Sequence, residues 1–240
     1  QPCSSAASDV YKRQHFELII TQVFDQDGEF GTGYTYTGGR GGKAIYSMLQ
    51  EDIAPFLQGM QTEKVEHIYD EMQWHMHYVG RGGISSFAIS AVDIALWDLR
   101  GKKNSKSLLT MAGGNNVSCK AYRGGIDLGY NQTKLVDSVS SYLDEGFNAV
   151  KIKVGHPDLS TDISRVQAVR HAIGPETVFM VDANYSYSIK QAINAAKRFE
   201  DYNVYWFEEP IIPDDFKGYA EVSTVSYTHL RSHETRSYLV

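Results

Sequence analysis

Charged and amide side chains stand near the ends of three apolar runs in the second half of this 240-residue sequence. They are Lys151 and Lys153 in VKIKVG (150–155), Asp182 and Asn184 in VFMVDAN (178–184), and Glu208 and Glu209 in VYWFEEP (204–210). Successive side chains of a strand point to opposite faces, so residues two apart share a face. The two lysines therefore point the same way, as do Asp182 and Asn184, although lysine is among the residues least often buried.

Two interpretations fit lysines and carboxylates that meet at the ends of adjacent strands. One is a network of ion pairs in which the carboxylates neutralise the lysines. The other is a metal site with a base beside it, because carboxylates from neighbouring strands suit Mg²⁺, a hard cation that takes about six oxygen ligands. A second lysine and a metal would both lower the pKa of a nearby lysine, which could then take a proton from carbon.

Apolar runs alternate with amphipathic segments from about residue 116, and this alternation predicts βαβ units with a parallel sheet. The apolar runs are 116–125, 149–155, 178–184 and 204–210, and the amphipathic segments between them are 132–146, 160–174 and 188–202. Lys153 and Asp182 lie 29 residues apart, and Asp182 and Glu208 lie 26 apart. A (β/α)8 barrel averages about 31 residues per unit.

Four such strands predict the first half of a barrel, in which the carboxyl ends of all strands share the face that carries the active site. The charged residues above would then converge on that face. Periodicity alone also allows a flavodoxin-like sheet. The order of the strands separates the two folds, because a half barrel has its strands in sequential order.

The first half of the sequence predicts a hairpin followed by helices. The stretch 17–37 has an Asp27-Gly28 turn signal between two strand-like runs. Helices are predicted at 43–57, 62–79, 84–103 and 105–114. The glycine-rich loop GGRGG (38–42) lacks the Lys-Ser/Thr ending of a phosphate-binding P-loop. His75 and His77 are two apart, so they would not share a helix face, and we expect them to be structural or surface residues.

The composition is typical of a soluble globular protein and excludes several classes of function. A net charge of −6 and a pI near 5.7 argue against a nucleic-acid partner. No run of 18 apolar residues indicates a membrane span, and QPCSSAASDV (1–10) lacks the apolar core of a signal peptide. Cys3 and Cys119 have no metal-ligand spacing and predict no disulfide framework, so a cytoplasmic location is expected.

Two terminal stretches, CSSAASDVYKRQ (3–14) and VSYTHLRSHETRSYLV (225–240), fit neither a helix period nor a strand alternation. Both resemble translated sequencing-adapter read-through. Residues 1–14 and 225–240 are therefore predicted to be non-native or disordered. On this interpretation the chain is an internal fragment of a longer protein; the alternative is that both ends are real, weakly ordered termini.

The motifs KIKVG, VDAN and WFEEP at these spacings, behind AISAVDIALWDLRGK (88–102), together resemble the enolase superfamily, in its mandelate racemase and muconate-lactonizing branch. The resemblance covers about residues 17–224. It implies an α/β fold, with an N-terminal α+β capping domain over 15–114 and the first half (about four βα units) of a modified TIM barrel over 115–224. It also implies Mg²⁺ as the cofactor and removal of the proton α to a carboxylate, for which this superfamily is known to use a Lys or His base.

The resemblance further implies a role for each residue that matches the family's motifs. Lys153, the second lysine of K-x-K, matches the base, and Lys151 would help to stabilise the enediolate. Asp182 and Glu208 match two metal ligands. Glu209 would point away from the metal. The third metal carboxylate and the second acid or base of the family lie on later strands.

Two further residues are expected to contact the substrate. Asn184 would lie near it on the strand that carries the aspartate. Tyr36 belongs to GYTYTGGRGG (33–42), which we expect to be a specificity loop that closes over the site.

KIKVGHPDLSTDISRVQAVRHAIG (151–174) and YWFEEPIIPDDFKGYAEV (205–222) are most similar to members that act on aldonates or aldarates. This similarity implies a homo-oligomeric parent that binds a small carboxylate, a sugar acid, and dehydrates it to a 2-keto-3-deoxy acid. A racemase, epimerase or cycloisomerase of the same superfamily is the alternative. An alternative of another class is a non-catalytic fragment or a small-molecule binding domain. The chain itself is expected to be inactive, because it has two of the three metal ligands.

Overall fold

A computed structural model describes residues 15–115 and 118–224, together with the backbone of residues 229–231. The described residues divide into two compact units at about residue 118. Among the helices in these ranges, none combines the length and the hydropathy of a membrane span.

The first unit consists of an antiparallel hairpin and a set of helices. Its elements are β1 (Glu17–Phe24), β2 (Phe30–Thr37), α1 (Gly42–Ser47), a π-helical segment (Met48–Ile53), α2 (Ala54–Leu57), α3 (Val65–His75), α4 (Gly83–Lys103) and α5 (Leu108–Met111). The predicted hairpin is confirmed: the register pairs Phe24 with Phe30 across a turn in which Gly28 has a φ of 83°. The Asp25 carboxylate accepts hydrogen bonds from two backbone N–H groups of this turn and so fixes its shape.

The predicted helices differ from the observed ones mainly at their ends. The segment 43–57 is helical throughout, but its middle is π-helical. α3 is shorter than the predicted 62–79, because it begins after Lys64 and ends at His75. The His75 ring stacks on Phe56 with 4.0 Å between ring centroids, and His77 Nδ1 lies 2.7 Å from the carbonyl oxygen of Trp74.

The hairpin packs on α4 through two glycines of β2. A Cβ atom at Gly31 would lie 1.9 Å from the carbonyl oxygen of Ala95, and one at Gly33 would lie 2.0 Å from that of Ala91. Real Cβ atoms do not approach backbone oxygens so closely, so only glycine allows the strand to lie directly on the helix. The Asp98 carboxylate also accepts a hydrogen bond of 2.8 Å from the N–H of Thr32.

Replacing Gly33 with alanine is expected to destabilise the first unit by about 2–3 kcal/mol, because the added methyl group must push β2 away from a rigid helix. The measurement is urea denaturation followed by circular dichroism. Gly129→Ala is the control, since a Cβ there meets no atom within 4 Å. Equal stability of the two variants would show that β2 does not lie on α4 as described.

The second unit is built on a parallel sheet. Its elements are β3 (Arg123–Gly124), α6 (Gln132–Asp144), β4 (Ala149–Lys153), α7 (Leu159–Ile173), β5 (Val178–Asp182), α8 (Ile189–Glu200), β6 (Val204–Glu208), α9 (Phe216–Ser223) and β7 (His229–Arg231). The strand order is β3-β4-β5-β6-β7, and each strand is parallel to its neighbour. Sequential order is that of a partial barrel, whereas a flavodoxin-like sheet has the order 2-1-3-4-5.

Two details of the sheet differ from the prediction. The strand predicted within 116–125 is only the two residues of β3. The described sheet also has one strand more than the four predicted, because β7 lies within 225–240. Residues 1–14, 225–228 and 232–240 lie outside the described residues. The prediction that these ends are non-native stays a prediction.

Alternation along β4 explains how the strand carries two lysines. Val150 and Ile152 are buried in an apolar core formed with the helices, together with Phe179, Phe199 and Phe207. Lys151 and Lys153 point to the other face of the strand and are only partly buried. The helices begin at residues whose side chains accept backbone hydrogen bonds, including Ser188, which forms a capping box at α8.

Candidate active site

The register of the sheet brings the sequence-predicted residues side by side. Lys153 on β4 is the partner of Asp182 on β5, and Asp182 is the partner of Glu208 on β6. Each of these residues is the last of its strand, so the three side chains line the carboxyl edge of the sheet. Lys151 lies two residues earlier on β4, and its side chain points to the same face as that of Lys153.

Lys153 is held at its tip by two oxygen atoms from β5 and the residues after it. Its Nζ lies 2.6 Å from Asp182 Oδ2 and 2.8 Å from Asn184 Oδ1. Asn184 in turn is oriented by its own N–H, which donates to Asp182 Oδ1 at 2.9 Å. These contacts fix the position of the Lys153 ammonium group at the carboxyl edge of the sheet.

Lys151 is paired with the other predicted metal ligand. Its Nζ donates to Glu208 Oε2 at 2.5 Å and to the Tyr122 hydroxyl at 2.9 Å, and it lies 3.9 Å from Asp182 Oδ2. The rings of Tyr122 and Trp206 flank it, with centroids 4.8 and 5.9 Å from Nζ.

The surroundings of Lys151 act on its pKa in opposite directions. Burial acts to lower this pKa, but the hydrogen bonds to Glu208 and Tyr122 outweigh burial and raise it above the ordinary value. A carboxylate in direct contact favours the charged ammonium. The expectation of a lowered pKa concerned the lysine that acts as the base beside a metal, and it stays a prediction.

Asp182 and Glu208 are the buried anions of the cluster, with exposed fractions of 3% and 1%. Their oxygens, together with Oδ1 of Asn184, make an all-oxygen donor set, which is the kind that Mg²⁺ prefers. In the ranges that the structure describes, no three His, Cys, Asp or Glu residues are close enough to hold a metal ion. The two carboxylates therefore fit part of a magnesium site, and the position of a third ligand on a later strand stays a prediction.

Glu209 contacts the residues that follow β5, and the expectation that it points away from the metal stays a prediction. Its carboxylate accepts hydrogen bonds from Asn184 Nδ2 at 3.0 Å and from the Tyr185 hydroxyl at 2.5 Å. Burial raises the pKa of the Glu209 carboxyl, and the negative charge of Asp182 adds to the effect, while the bonds from Tyr185 and Asn184 oppose it. Glu209 thus braces Asn184 from the side opposite Lys153.

Three residues at these strand ends have left-handed backbone conformations. The φ angles of Asn184, Tyr185 and Glu209 are 44°, 62° and 47°. Such conformations cost roughly 1 kcal/mol or more for residues other than glycine, and they concentrate at functional sites. Alternation of side chains holds only for extended residues, so it gives no direction for Glu209.

Tyr36, the second residue predicted to contact substrate, belongs to the first unit. It lies in β2 opposite Leu18, and its side chain is 58% exposed. Residues 33–37 of the predicted specificity loop are therefore strand, and only the glycine-rich part up to residue 41 is irregular. The assignment of Tyr36 to substrate binding stays a prediction.

Sequence reasoning missed Asp162, which ties the segments after β4 and β5 together. Its fully buried carboxylate accepts hydrogen bonds from the N–H groups of Gly155 and His156, from the His156 ring and from the Tyr187 hydroxyl. Burial, with the Asp162 charge beside it, raises the pKa of Tyr187 well above its usual value. An aspartate in the first turn of the helix that follows the lysine-bearing strand was the signal available in the sequence.

Sequence reasoning also missed Asp127 and Arg165. Asp127 follows β3, and burial raises its pKa to about 6, although bonds and charges from Lys153 and Arg165 act in the opposite direction. Both residues contact the backbone of Lys153. Nothing in the local sequence joins two residues that lie 38 positions apart.

Two family models match the chain. The first is described as Mandelate racemase / muconate lactonizing enzyme, N-terminal domain, and matches residues 3–113; the second is described as Enolase C-terminal domain-like and matches residues 134–234. Together they account for most of both units.

Similar proteins include enzymes and solved structures. The chain is 44% identical over 207 residues to the 3,6-anhydro-alpha-L-galactonate cycloisomerase of Streptomyces coelicolor, a match that covers 86% of this chain and 57% of that protein. A crystal structure of a racemase from Streptomyces coelicolor with bound magnesium superposes with a TM-score of 0.86 at 42% identity, covering 90% of this chain and 65% of that one.

A third comparison is with L-talarate/galactarate dehydratase from Salmonella typhimurium, crystallised with Mg and L-lyxarohydroxamate. It superposes with a TM-score of 0.87 at 32% identity and covers 97% of this chain and 60% of that one. In all three comparisons the chain spans less than two thirds of the relative's length.

Proposed function

Because the chain belongs to the mandelate racemase and muconate-lactonizing branch of the enolase superfamily, we propose that it is part of an enzyme that removes the proton α to the carboxylate of a sugar acid. The observation that carries this proposal is the array at the ends of β4, β5 and β6, in which Lys153 meets Asp182 and Lys151 meets Glu208. In this array Lys153, the proposed base, contacts the buried carboxylate of Asp182.

Asp182 and Glu208 are the residues that would hold Mg²⁺, the ion present in the two solved relatives described above. When bound, Mg²⁺ would stabilise the negative charge that develops on the substrate carboxylate as the α-proton leaves. The all-oxygen character of the two side chains and their register on adjacent strands support this assignment.

The lysines have separate roles in the proposal. Lys153 in its neutral form accepts the α-proton at Nζ, and Asn184 orients that nitrogen through Oδ1. Lys151 keeps its charge and donates a hydrogen bond toward the substrate carboxylate, adding to the electrostatic stabilisation. Tyr122 and Trp206 shield the Lys151 ammonium from water and so strengthen that interaction.

Loss of an oxygen from the β-carbon is proposed as the next step. If the oxygen is a hydroxyl, it takes a proton from a general acid and leaves as water, and the enol that remains gains a proton at the β-carbon to give a 2-keto-3-deoxy acid. An enzyme that does this is a sugar-acid dehydratase, the function we favour. If the oxygen belongs to a 3,6-anhydro ring, the same bond breaks but the oxygen stays attached through the other end of the ring. The 44% identity to a cycloisomerase of such a substrate favours this second candidate.

The test is product formation by the full-length enzyme with Mg²⁺ and a set of aldonates, aldarates and 3,6-anhydrogalactonates. We expect a 2-keto-3-deoxy acid from at least one of them, detected by its reaction with semicarbazide. Mass spectrometry separates the two candidates, because a dehydratase product has lost one water and a cycloisomerase product has the mass of its substrate. No product from any substrate with Mg²⁺ present would refute the proposal.

The 240-residue chain by itself is proposed to bind Mg²⁺ weakly and to have no turnover in the same assay, since two carboxylates of the described residues face the site without a third. Unpaired strand edges of a partial barrel also favour aggregation. Soluble, monomeric chain with Mg²⁺-dependent turnover would contradict this. A cytoplasmic, homo-oligomeric parent is proposed on the sequence grounds given above.

A further inference from the structure

Among the described residues, no strand pairs with the last residue of β4, Lys153, on the side of β3. β3 pairs only with Val150 and Lys151. Alternate residues of a parallel strand bond to opposite neighbours. The N–H of Val154 donates to the carbonyl oxygen of Asp182 on β5, so the backbone groups of Lys153 face the side of β3, beyond its end.

Two side chains supply the missing partners. The N–H of Lys153 donates to Asp127 Oδ1 at 2.9 Å, and the Lys153 carbonyl oxygen accepts a hydrogen bond of 3.3 Å from Arg165 Nη2. The same Nη2 lies 3.2 Å from Asp127 Oδ1 and 2.9 Å from the Asp127 carbonyl oxygen. We refer to Asp127 and Arg165 as the backbone clamp.

The clamp is a buried ion pair, with exposed fractions of 3% for Asp127 and 4% for Arg165. Arg165 is further fixed by a hydrogen bond of 2.8 Å from Nη1 to the carbonyl oxygen of Tyr130. Removing two charges from water is costly, and apolar replacements of buried ion pairs are often as stable or more so. Stability alone is therefore a weak reason for a buried pair at this position, which points to a role in holding Lys153.

We propose that Asp127 and Arg165 are positioning residues that fix the backbone of Lys153 and thereby the reach of its Nζ toward the α-carbon of the substrate. The inference rests on the proposed function, in which Lys153 is the base. Asp182 and Asn184 orient the ammonium group of Lys153, while the backbone clamp holds its main-chain N–H and carbonyl groups. Misplacement of a reacting group by about 1 Å can slow a reaction by about a hundredfold.

The test compares Asp127→Ala and Arg165→Met with Asp127→Asn in the full-length enzyme. We expect the first two to lower kcat, per folded enzyme, by about a hundredfold, with KM and Mg²⁺ affinity changed by less than about threefold. Asp127→Asn keeps an oxygen that can accept the Lys153 N–H, so it should recover at least about a tenth of the wild-type kcat. Asp137→Ala and Arg198→Met, both at exposed helix positions, are the matched controls.

Hydrogen exchange of the segment 149–155, followed by mass spectrometry, reports the clamp without any substrate. Asp127→Ala should speed this exchange, and Asp127→Asn should not. Faster exchange with an unchanged kcat would overturn the positioning role, and unchanged exchange would overturn the clamp itself. A wild-type enzyme that abstracts no α-proton would refute the proposed function and the catalytic meaning of the clamp, while the exchange result would still stand for the geometry.

Discussion

Replacing Lys153 with alanine in the full-length enzyme is expected to lower kcat for a sugar acid by about a thousandfold or more, with Mg²⁺ affinity within about threefold of wild type. The physical reason is that the α-proton then has no base on that face, whereas Asp182 and Glu208 keep their oxygens. The measurements are the rate of 2-keto-3-deoxy acid formation and titration calorimetry with Mg²⁺. Lys197→Ala, at an exposed position of α8, is the control and should leave both unchanged.

A loss of kcat below about tenfold in Lys153→Ala would remove Lys153 as the base. Equal loss in the Lys197→Ala control would instead indicate damage to the fold. Lys151→Ala separates the two lysines, because it should lower kcat through lost electrostatic stabilisation while Lys153 still exchanges the α-proton with solvent.

Asp182→Asn and Glu208→Gln are each expected to weaken Mg²⁺ binding to the full-length enzyme by about a hundredfold or more, because each replaces an anionic oxygen by a neutral amide of the same shape. Titration calorimetry measures the affinity. Asp214→Asn and Glu221→Gln make the same chemical changes at exposed positions of this unit and should have no effect.

The same variants distinguish the two interpretations of the charged cluster. Each change also removes the charge that faces a half-buried lysine, so the metal-free protein should lose stability as well. If stability falls while Mg²⁺ affinity stays at the wild-type value, the lysines and carboxylates are an ion-pair network and the metal assignment is wrong.

Much of the second unit could be predicted because its signals are local. Period-two alternation places Lys151 and Lys153 on one face whatever the rest of the fold does, and the spacing from Lys153 to Asp182 sets the length of one βα unit. The neighbouring strand ends then bring Asp182 and Glu208 to the lysines. The short length of β3 could not be predicted. Beyond the end of β3, the hydrogen bonds to the backbone of β4 come from side chains rather than from a strand.

The parts of the site that escaped prediction depend on contacts between distant positions. Asp127 and Arg165 meet only when α7 packs beside the end of β3. Glu209 has a φ of 47°, a conformation that composition does not signal, and it contacts Asn184 and Tyr185. Lys151 Nζ also contacts the hydroxyl of Tyr122, which lies 29 residues away in sequence.

The fate of the α-hydrogen tests the central claim most directly. A sugar acid that the full-length enzyme turns over, labelled with deuterium at the α-carbon, is incubated with enzyme and Mg²⁺, and the label is followed by mass spectrometry. The proposed mechanism predicts that the deuterium leaves that carbon in every turnover, and that neither label loss nor product appears with Lys153→Ala or after Mg²⁺ is chelated. Label loss or product formation by Lys153→Ala at the wild-type rate would contradict the mechanism, and so would turnover that persists after Mg²⁺ is chelated.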